Sequence, residues 1–201
     1  MATSFPTLVL ASASPRRQQL LRQIGVSCEV APQDIDETPL PDENPDQYVL
    51  RLAREKACAA QSIANNGQVI LGSDTVVVCE GETLGQPVDK AEALSMLRCL
   101  SAQTHEVLTA VHVCDSQRDA NRLSRTRVTF REIQPAELER YWQTGESKGK
   151  AGAYGIQGYA AVFVEEIVGS YSGVMGLPLF ETAALLQEFG IPCWQTLEKE
   201  Q

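Results

Sequence analysis

The sequence predicts an α/β fold with a mixed sheet, because short apolar runs alternate with segments of helical periodicity along nearly the whole chain. The composition is that of an ordinary globular protein, with 43% hydrophobic and 21% charged residues. The length of 201 residues is close to that of one domain, and the sequence contains no repeat or low-complexity linker. We therefore expect residues 1–201 to form a single α/β domain.

Apolar runs and capping signals define the elements of the first half of the chain. Residues 8–11 form an apolar run that predicts a strand. Ser14 is a favourable N-cap, Pro15 fits the first helical position, and Gly25 fits the end of the same helix. The pattern then predicts a strand at 26–31, a helix from Asn44-Pro45 to about Asn65, and a buried central strand at 68–79.

Helix and strand signals continue to alternate in the second half. Asp89 and Glu92 have the spacing of a capping box that opens a helix. Eight of the 14 glycines lie between Gly145 and Gly176. The remaining predicted elements are an antiparallel strand pair at 106–113 and 125–133, a helix from Gln134-Pro135 to about Thr144, a strand at 160–168 and a helix at 178–189.

Charge and composition exclude several classes of partner. The net charge of −9 disfavours binding to the phosphate backbone of long nucleic acid. No run of roughly 18 apolar residues occurs, and Met1–Pro6 lacks a basic signal-peptide region, so we expect neither membrane insertion nor export. The six cysteines form no C-x-x-C pair, which favours reduced thiols in the cytoplasm. Because the chain has two histidines, we expect any metal to be held by carboxylates.

The first predicted helix begins with two cations. Arg16 and Arg17 follow Ser12-Ala13-Ser14-Pro15 and occupy the first helical turn after a strand. Cations are unfavourable at a helix N-terminus unless an anion is bound, whereas free N–H groups and guanidinium groups together suit phosphate. The pattern indicates an anion site; the alternative is a pair of solvated surface arginines.

A carboxylate interrupts the most apolar strand of the sequence. Asp74 lies in the middle of the run 69–78, where a charge is costly unless it meets a cation or a hydrogen-bonding partner. Gly72 lies on the same face of the strand, and we expect its missing side chain to leave room for a ligand. Buried carboxylates of this kind concentrate at active sites, although a structural salt bridge or a bulge would also explain one.

Two further charged features accompany this strand. Lys56 lies on the apolar stripe of the long helix, where it either serves a site or extends its ammonium group to the solvent. Asp34, Asp36 and Glu37 form an acidic loop, and such a loop taken alone is more often solvated than bound to a metal.

The segment 149–158 carries a glycine at every third position. It lacks the ending of a P-loop and the preceding strand of a dinucleotide-binding motif. Such a run allows backbone amides to approach a flat ligand, and Gln157 could present its amide to a base edge; the alternative is a set of tight turns. Together with the cations and Asp74, the segment indicates a nucleotide polyphosphate site. A hydrolase and a binding-only sensor both fit, and the buried Asp74 favours hydrolysis.

Four motifs, in order along residues 8–189, closely resemble those of the Maf family of nucleoside triphosphate pyrophosphatases. They are Ser12-Ala13-Ser14-Pro15-Arg16-Arg17, Gly72-Ser73-Asp74-Thr75-Val76, Lys150-Ala151-Gly152-Ala153-Tyr154-Gly155-Ile156-Gln157-Gly158, and Gly169-Ser170-Tyr171-Ser172 with Met175-Gly176-Leu177-Pro178-Leu179. The resemblance implies an elongated fold similar to inosine triphosphate pyrophosphatase, with two lobes around a central cleft. It also implies a divalent metal (Mg²⁺ or Mn²⁺), a cytoplasmic location and a possible homodimer.

Within the family, the motifs look like those of the dTTP/UTP pyrophosphatases, which release pyrophosphate and a nucleoside monophosphate. Pyrophosphatases of the 7-methyl-GTP type and a regulator of cell division without turnover remain as alternatives. By this resemblance Asp74 is the proton acceptor, and Glu37 falls on a position that the family uses at its site. We expect Glu37 and Asp74 to hold the metal. The other site residues that it implies are Arg16, Thr75 and Gln157 for base preference and Ser12, Arg17 and Lys56 for substrate binding.

One position departs from the family pattern. The family usually has Gly-Lys-Pro where this chain has Gly85-Gln86-Pro87. Because the missing lysine would add a cation near the phosphates, we expect a weaker hold on the polyphosphate, or compensation by Lys90 or Lys150.

Overall fold

The computed structural model describes residues 5–62, 64–65 and 67–195. Within this part of the chain, seven strands form one sheet in the order β2-β1-β3-β5-β6-β7, with β4 beside β3. Strand β1 is parallel to β2 and β3, whereas β4 and β7 are antiparallel to their neighbours, so the predicted mixed sheet is confirmed. The strands are β1 Leu8–Leu10, β2 Glu29–Val30, β3 Val69–Cys79, β4 Glu82–Leu84, β5 Thr104–Cys114, β6 Asp119–Phe130 and β7 Val164–Val168.

Six α-helices alternate with these strands in the described residues. They are α1 Pro15–Gln23, α2 Pro45–Gln61, α3 Lys90–Leu100, α4 Pro135–Gln143, α5 Tyr171–Met175 and α6 Leu179–Glu188. None of the helices in this part of the chain is both long enough and apolar enough to cross a bilayer. The predicted end of the long helix near Asn65 includes Ile63, which lies outside the described residues.

Side-chain caps begin the helices where the sequence predicts them. The Ser14 hydroxyl accepts from the N–H of Arg17 at 3.5 Å and caps α1. The Asp89 carboxylate accepts from the N–H of Glu92 at 2.9 Å and caps α3. In a capping box the Glu92 carboxylate would accept from the N–H of Asp89. Here it accepts from the N–H of Val88, one residue earlier, at 2.7 Å.

Several strand boundaries differ from the prediction. Strand β2 has two residues, both exposed, so most of the predicted strand 26–31 is not part of a strand. Strand β6 begins at Asp119, six residues earlier than predicted. The prediction missed these residues because the first five are mostly exposed and polar and show no alternation of apolar and polar side chains. The predicted strand at 160–168 begins four residues late, since Tyr159–Phe163 forms a 3-10 turn. An apolar run of this length does not distinguish a strand from a helical turn.

The chain divides into two compact units, and β3 passes from the first to the second after Asp74. The first unit comprises the residues up to 74, residues 109–123 and the residues from 176 onward. One of its apolar clusters lies between helix α2 and the strands β1, β3 and β5, where every side chain is almost fully buried: Val9, Ala11, Ala57, Ala60, Ile70 and Cys114.

The second unit comprises residues 75–108 and 124–175 and has an aromatic core. The rings of Phe130 and Tyr154 meet edge to face with centroids 4.9 Å apart, and the ring of Tyr141 lies 5.3 Å from that of Phe163. His105 packs against the same cluster, and burial lowers its pKa to about 4. This core supports the glycine-rich segment described below.

Candidate active site

Asp74 is almost fully buried on β3, where it meets a lysine. The residue is 8% exposed, and its Oδ1 lies 2.6 Å from Nζ of Lys56. Burial raises the pKa of Asp74, while the positive charges of Lys56 and Arg17 act in the opposite direction and the negative charge of Glu37 adds to the rise. The carboxylate is therefore a stronger base than an exposed aspartate.

Gly72 explains why a lysine of α2 reaches this carboxylate. A Cβ atom at Gly72 would lie 2.8 Å from the backbone nitrogen of Ala57 and would overlap the carbonyl oxygen of Ala53. The expectation that Gly72 leaves room for a ligand is therefore wrong, because the backbone of α2 fills this space. The close approach of α2 to β3 places Lys56 against Asp74 on the same face of the strand.

The same ammonium group also binds the acidic loop. Nζ of Lys56 lies 2.6 Å from Oε1 of Glu37, whose side chain is half exposed. The hydroxyl of Tyr48 donates to the backbone oxygen of Glu37 at 2.9 Å, and Arg51 donates to the oxygen of Thr38 at 3.1 Å. Helix α2 therefore fixes both the lysine and the loop that carries Glu37.

The other two loop carboxylates do not join this ion pair. Oδ1 of Asp36 accepts from the N–H of Thr38 at 2.9 Å, and this turn lowers the pKa of Asp36. Asp36 is exposed. The solvated-loop interpretation holds for Asp36, whereas Glu37 belongs to the charged cluster.

Arg17 is held by a backbone carbonyl and a serine. Its Nε donates to the oxygen of Gly176 at 2.8 Å, and its Nη1 donates to Oγ of Ser12 at 3.0 Å. Burial lowers the pKa of Arg17, and the charge of Asp74 opposes this effect. The interpretation of Arg17 as a solvated surface residue is wrong. Its neighbour Arg16 is half buried, and burial lowers its pKa as well.

Ser73 is a residue of this cluster that the sequence reasoning missed. Its Oγ donates to the same Gly176 oxygen at 3.1 Å, so this carbonyl accepts from Ser73 and Arg17 together. The signal was the motif that contains Gly176, a glycine with φ +114° that lies three residues before the start of α6. Contacts within the first unit thus bring together five predicted site residues: Ser12, Arg17, Glu37, Lys56 and Asp74.

Thr75 and Gln157 belong to the second unit, where Thr75 is half-buried on β3. Gln157 is exposed and lies between the buried side chain of Ile156 and Gly158. Two glycines of this segment pack closely against side chains of the same unit. A Cβ at Gly152 would lie 3.0 Å from Val77, and a Cβ at Gly158 would overlap Glu146. The tight-turn interpretation therefore explains these glycines.

Lys90 and Lys150, which we expect to compensate for the missing family lysine, both have partners within the second unit. Nζ of Lys90 pairs with Glu139 at 2.7 Å, and Nζ of Lys150 donates to the backbone oxygen of Glu146. Gln86 lies beside the glycine-rich segment, with its Oε1 3.9 Å from the position of a Cβ on Gly149. Gln86 is therefore placed where it can affect this segment, but it supplies no charge.

The carboxylates that meet at Lys56 are the donors best suited to a cation. Among the described residues, no group of three or more His, Cys, Asp or Glu side chains is arranged to hold a metal ion. Glu37 and Asp74 supply two hard oxygen ligands at the position now taken by Nζ of Lys56. Mg²⁺ commonly uses one or two carboxylates and completes its shell with phosphate oxygens and water, so this donor set fits a cation that binds together with a polyphosphate.

The fold and the cluster define an α/β protein with a buried carboxylate between cationic groups. The chain belongs to the Maf family, since the model of the Maf-like proteins matches residues 7–189. A dTTP/UTP pyrophosphatase from Saccharophagus degradans is 52% identical over 193 residues, covering 94% of this chain and 92% of that protein. A dTTP/UTP pyrophosphatase from Alkalilimnicola ehrlichii is also 52% identical, covering 92% of this chain and 94% of that protein.

A third relative gives the same result. The dTTP/UTP pyrophosphatase from Hahella chejuensis is 49% identical, covering 93% of this chain and 94% of that protein. Among solved structures, a nucleoside-triphosphatase or dITP/XTP pyrophosphatase from Mycobacterium abscessus covers 69% of this chain and 95% of that chain, with 13% identity and a TM-score of 0.38.

Proposed function

We propose that this protein hydrolyses dTTP and UTP to the nucleoside monophosphate and pyrophosphate. The observation that carries the proposal is the buried Asp74 carboxylate, held 2.6 Å from Lys56, with the half-buried Arg17 acting on its charge. A site that only bound a polyanion would gain nothing from a buried negative group, whereas hydrolysis needs a base. The names of relatives about half identical to this chain over nearly its whole length support the substrate class.

The cations of the first unit bind the phosphates in this proposal. Arg16 and Arg17 lie in the first turn of α1, where free N–H groups and the helix dipole already favour an anion. Lys56 adds an ammonium group that can exchange a carboxylate partner for a phosphate oxygen. Ser12 and the Gly176 carbonyl hold Arg17 in place, so its orientation is fixed before the substrate arrives.

Asp74 accepts a proton from the attacking water. The water oxygen forms a bond to the α-phosphorus, the bond from this phosphorus to the bridging oxygen breaks, and pyrophosphate leaves. The raised pKa of Asp74 suits this role, because a carboxylate that binds a proton more tightly is a better general base. The positive charges of Lys56 and Arg17 limit that rise.

Glu37 and Asp74 would hold a divalent cation, Mg²⁺ or Mn²⁺, together with the substrate phosphates. When bound, such a cation neutralises charge on the phosphate oxygens. Arg16, Thr75 and Gln157 set the base preference. The protein acts in the cytoplasm, and a homodimer is its proposed assembly.

A substrate panel tests the reaction. The protein is incubated with dTTP, UTP, the other common triphosphates and 7-methyl-GTP, each with Mg²⁺ or Mn²⁺. We expect dTTP and UTP to release pyrophosphate and the monophosphate. Orthophosphate as the product would place cleavage at another bond, and preferred turnover of 7-methyl-GTP would assign the chain to that type. Nucleotide binding without turnover under any condition would favour the sensor.

Asp74→Asn tests the role of the carboxylate. We expect the variant to bind dTTP and to lose at least about 10²-fold in kcat, the lower end of the usual contribution of a general base. Because burial disfavours the charged form, the neutral isostere should keep the wild-type Tm at pH 7 or exceed it. A variant with full turnover would remove Asp74 from the mechanism. If an effect on cell division survived in the inactive variant, a regulatory role without turnover would be favoured.

A further inference from the structure

The segment that carries Gln157 is organised around one carboxylate of the second unit. We propose that Glu146 is the positioning residue that holds residues 155–160, here called the Gln157 loop, in the conformation that selects the base. The inference rests on the proposed role of Gln157 in base preference. Neither the sequence motifs nor the family resemblance singled out Glu146.

Glu146 accepts three hydrogen bonds from this segment and from α4. Its Oε2 accepts from the N–H of Tyr159 at 2.8 Å, and its Oε1 accepts from the N–H of Ala160 at 3.2 Å. The hydroxyl of Tyr141 donates to Oε1 at 2.8 Å. A carboxylate that accepts several N–H and O–H bonds fixes each donor more firmly than a neutral acceptor does.

Tyr141 extends this hold to the other end of the loop. Its hydroxyl accepts from the N–H of Gly155 at 3.2 Å while it donates to Glu146. The ring of Tyr141 is 3% exposed and packs against Phe163 in the aromatic core. Burial and the bond to Glu146 raise the pKa of Tyr141, so the hydroxyl keeps its proton. Glu146 and Tyr141 therefore accept hydrogen bonds from the backbone on both sides of Gln157.

Gly158, the residue after Gln157, leaves space for the Glu146 carboxylate. A Cβ on Gly158 would lie 2.5 Å from Cδ of Glu146, so either the Glu146 carboxylate or the loop would have to move. Ile156 anchors the preceding residue, since it is 3% exposed. The exposed amide of Gln157 thus projects from a backbone fixed at 155, 156, 159 and 160, which leaves little freedom in where that amide can be presented.

Steady-state kinetics with dTTP test the proposal on Glu146→Ala and Glu146→Gln. For Glu146→Ala we expect KM to rise about tenfold, the effect of losing charge-assisted hydrogen bonds, with kcat within about threefold of wild type. The preference for dTTP over the purine triphosphates should fall by a similar factor. Glu146→Gln keeps the size and one acceptor oxygen and should recover part of both losses. Amide hydrogen exchange at residues 155–160 should be faster in Glu146→Ala.

Gly158→Ala and the double variant supply an independent measurement. Gly158→Ala should raise KM as Glu146→Ala does, and the two effects should not add in the double variant, because the added methyl group collides with Glu146 itself. If Glu146→Ala does not fold, the KM and hydrogen exchange of Gly158→Ala and Glu146→Gln decide the matter. The matched control is Glu139→Ala, which removes an exposed glutamate of the same unit that pairs with Lys90.

The outcomes separate this inference from the proposed function. An unchanged KM and base preference in folded Glu146→Ala would overturn the positioning role, as would a fall in kcat and Tm with no change in KM or in exchange at 155–160. If the wild-type protein turns over no triphosphate, the proposed function fails. Hydrogen exchange and nucleotide binding, measured with dTTP and with dATP, would then still decide whether Glu146 orders the loop.

Discussion

The ammonium group of Lys56 holds two carboxylates of different character. Asp74 is buried and Glu37 is half exposed, yet each lies 2.6 Å from Nζ. In a buried environment one cation stabilises a charge that burial would otherwise neutralise. The same residue therefore favours the ionised form of Asp74 and places Glu37 beside it. In the proposed mechanism, a phosphate that binds Lys56 would release both carboxylates to hold a metal.

The acid limb of the pH profile tests this electrostatic balance. In the proposed mechanism, activity requires ionised Asp74, so kcat/KM for dTTP should fall as pH falls through the pKa of that carboxyl, which burial raises above 3.8. In Lys56→Gln the lowering effect of the ammonium is gone, and the acid limb should move to higher pH. Lys90→Gln, which removes an exposed lysine, is the control and should leave the limb in place. An unmoved limb in Lys56→Gln would contradict the assignment.

The dependence of stability on pH has the opposite sign. The raised pKa means that folded Asp74 binds its proton more tightly than the unfolded chain does. The stabilisation by protonated Asp74 is complete below the ordinary value of 3.8 and is lost as pH rises through the folded pKa. The pH range in which the site becomes active is therefore the range in which this residue begins to cost stability, as is common at active sites.

At the scale of the elements, the contact between α2 and β3 builds the site. Gly72 allows the helix backbone to touch the strand, and this contact sets the distance from Lys56 to Asp74. The same helix fixes the Glu37 loop through Tyr48. One helix packed closely on one strand thus aligns the three charged groups.

Gly72→Ala tests the importance of this packing. The added methyl group would overlap the backbone of Ala53, and backbone atoms cannot move away as a flexible side chain can. We expect a loss of about 1–3 kcal/mol in the free energy of unfolding, measured with urea, together with reduced kcat as α2 shifts. Gly85→Ala is the matched control, because a Cβ there meets nothing within 4 Å. Equal stabilities for the two variants would show that α2 does not depend on this contact.

Much of this architecture could be predicted from local sequence. Ser14 and Asp89 identify the starts of their helices because an N-cap acts within three residues. The apolar run around Asp74 identifies β3 because burial on both faces leaves a continuous apolar signal. The position of Asp74 in that run also identifies the charged site, since an ionised group needs a partner there.

The remaining features depend on contacts between distant parts of the chain. The function of Gly72 is visible only once α2 is known to lie on it. Ser73 joins the cluster through the carbonyl of Gly176, 103 residues away. Glu146 looks like an ordinary acidic residue near a helix end, and its role follows from the N–H groups that converge on it. Short-range patterns contain no information about such convergence.

At the scale of the whole molecule, the charge is unevenly distributed between the surface and the site. The net charge is −9, yet the first turn of α1 carries two arginines and Lys56 lies nearby in the same unit. The long-range field repels polyanions, while short-range donors attract a phosphate that has already entered. The cysteines take no part in this arrangement: all six are free thiols, and burial raises the pKa of Cys79 and Cys114 to about 12.

This charge distribution predicts discrimination between a triphosphate and a longer polyanion. A single-stranded oligonucleotide also carries phosphates, but the phosphates next to the bound one must approach a protein of net negative charge. Because few basic groups would follow the backbone of the strand, the longer polyanion gains little binding free energy. At an ionic strength of about 0.15 M, where the Debye length is about 8 Å, we expect oligonucleotides of increasing length not to inhibit dTTP hydrolysis, whereas inorganic pyrophosphate inhibits competitively. Inhibition that grows with oligonucleotide length would reveal a basic surface extending beyond Arg16, Arg17 and Lys56 and would contradict this prediction.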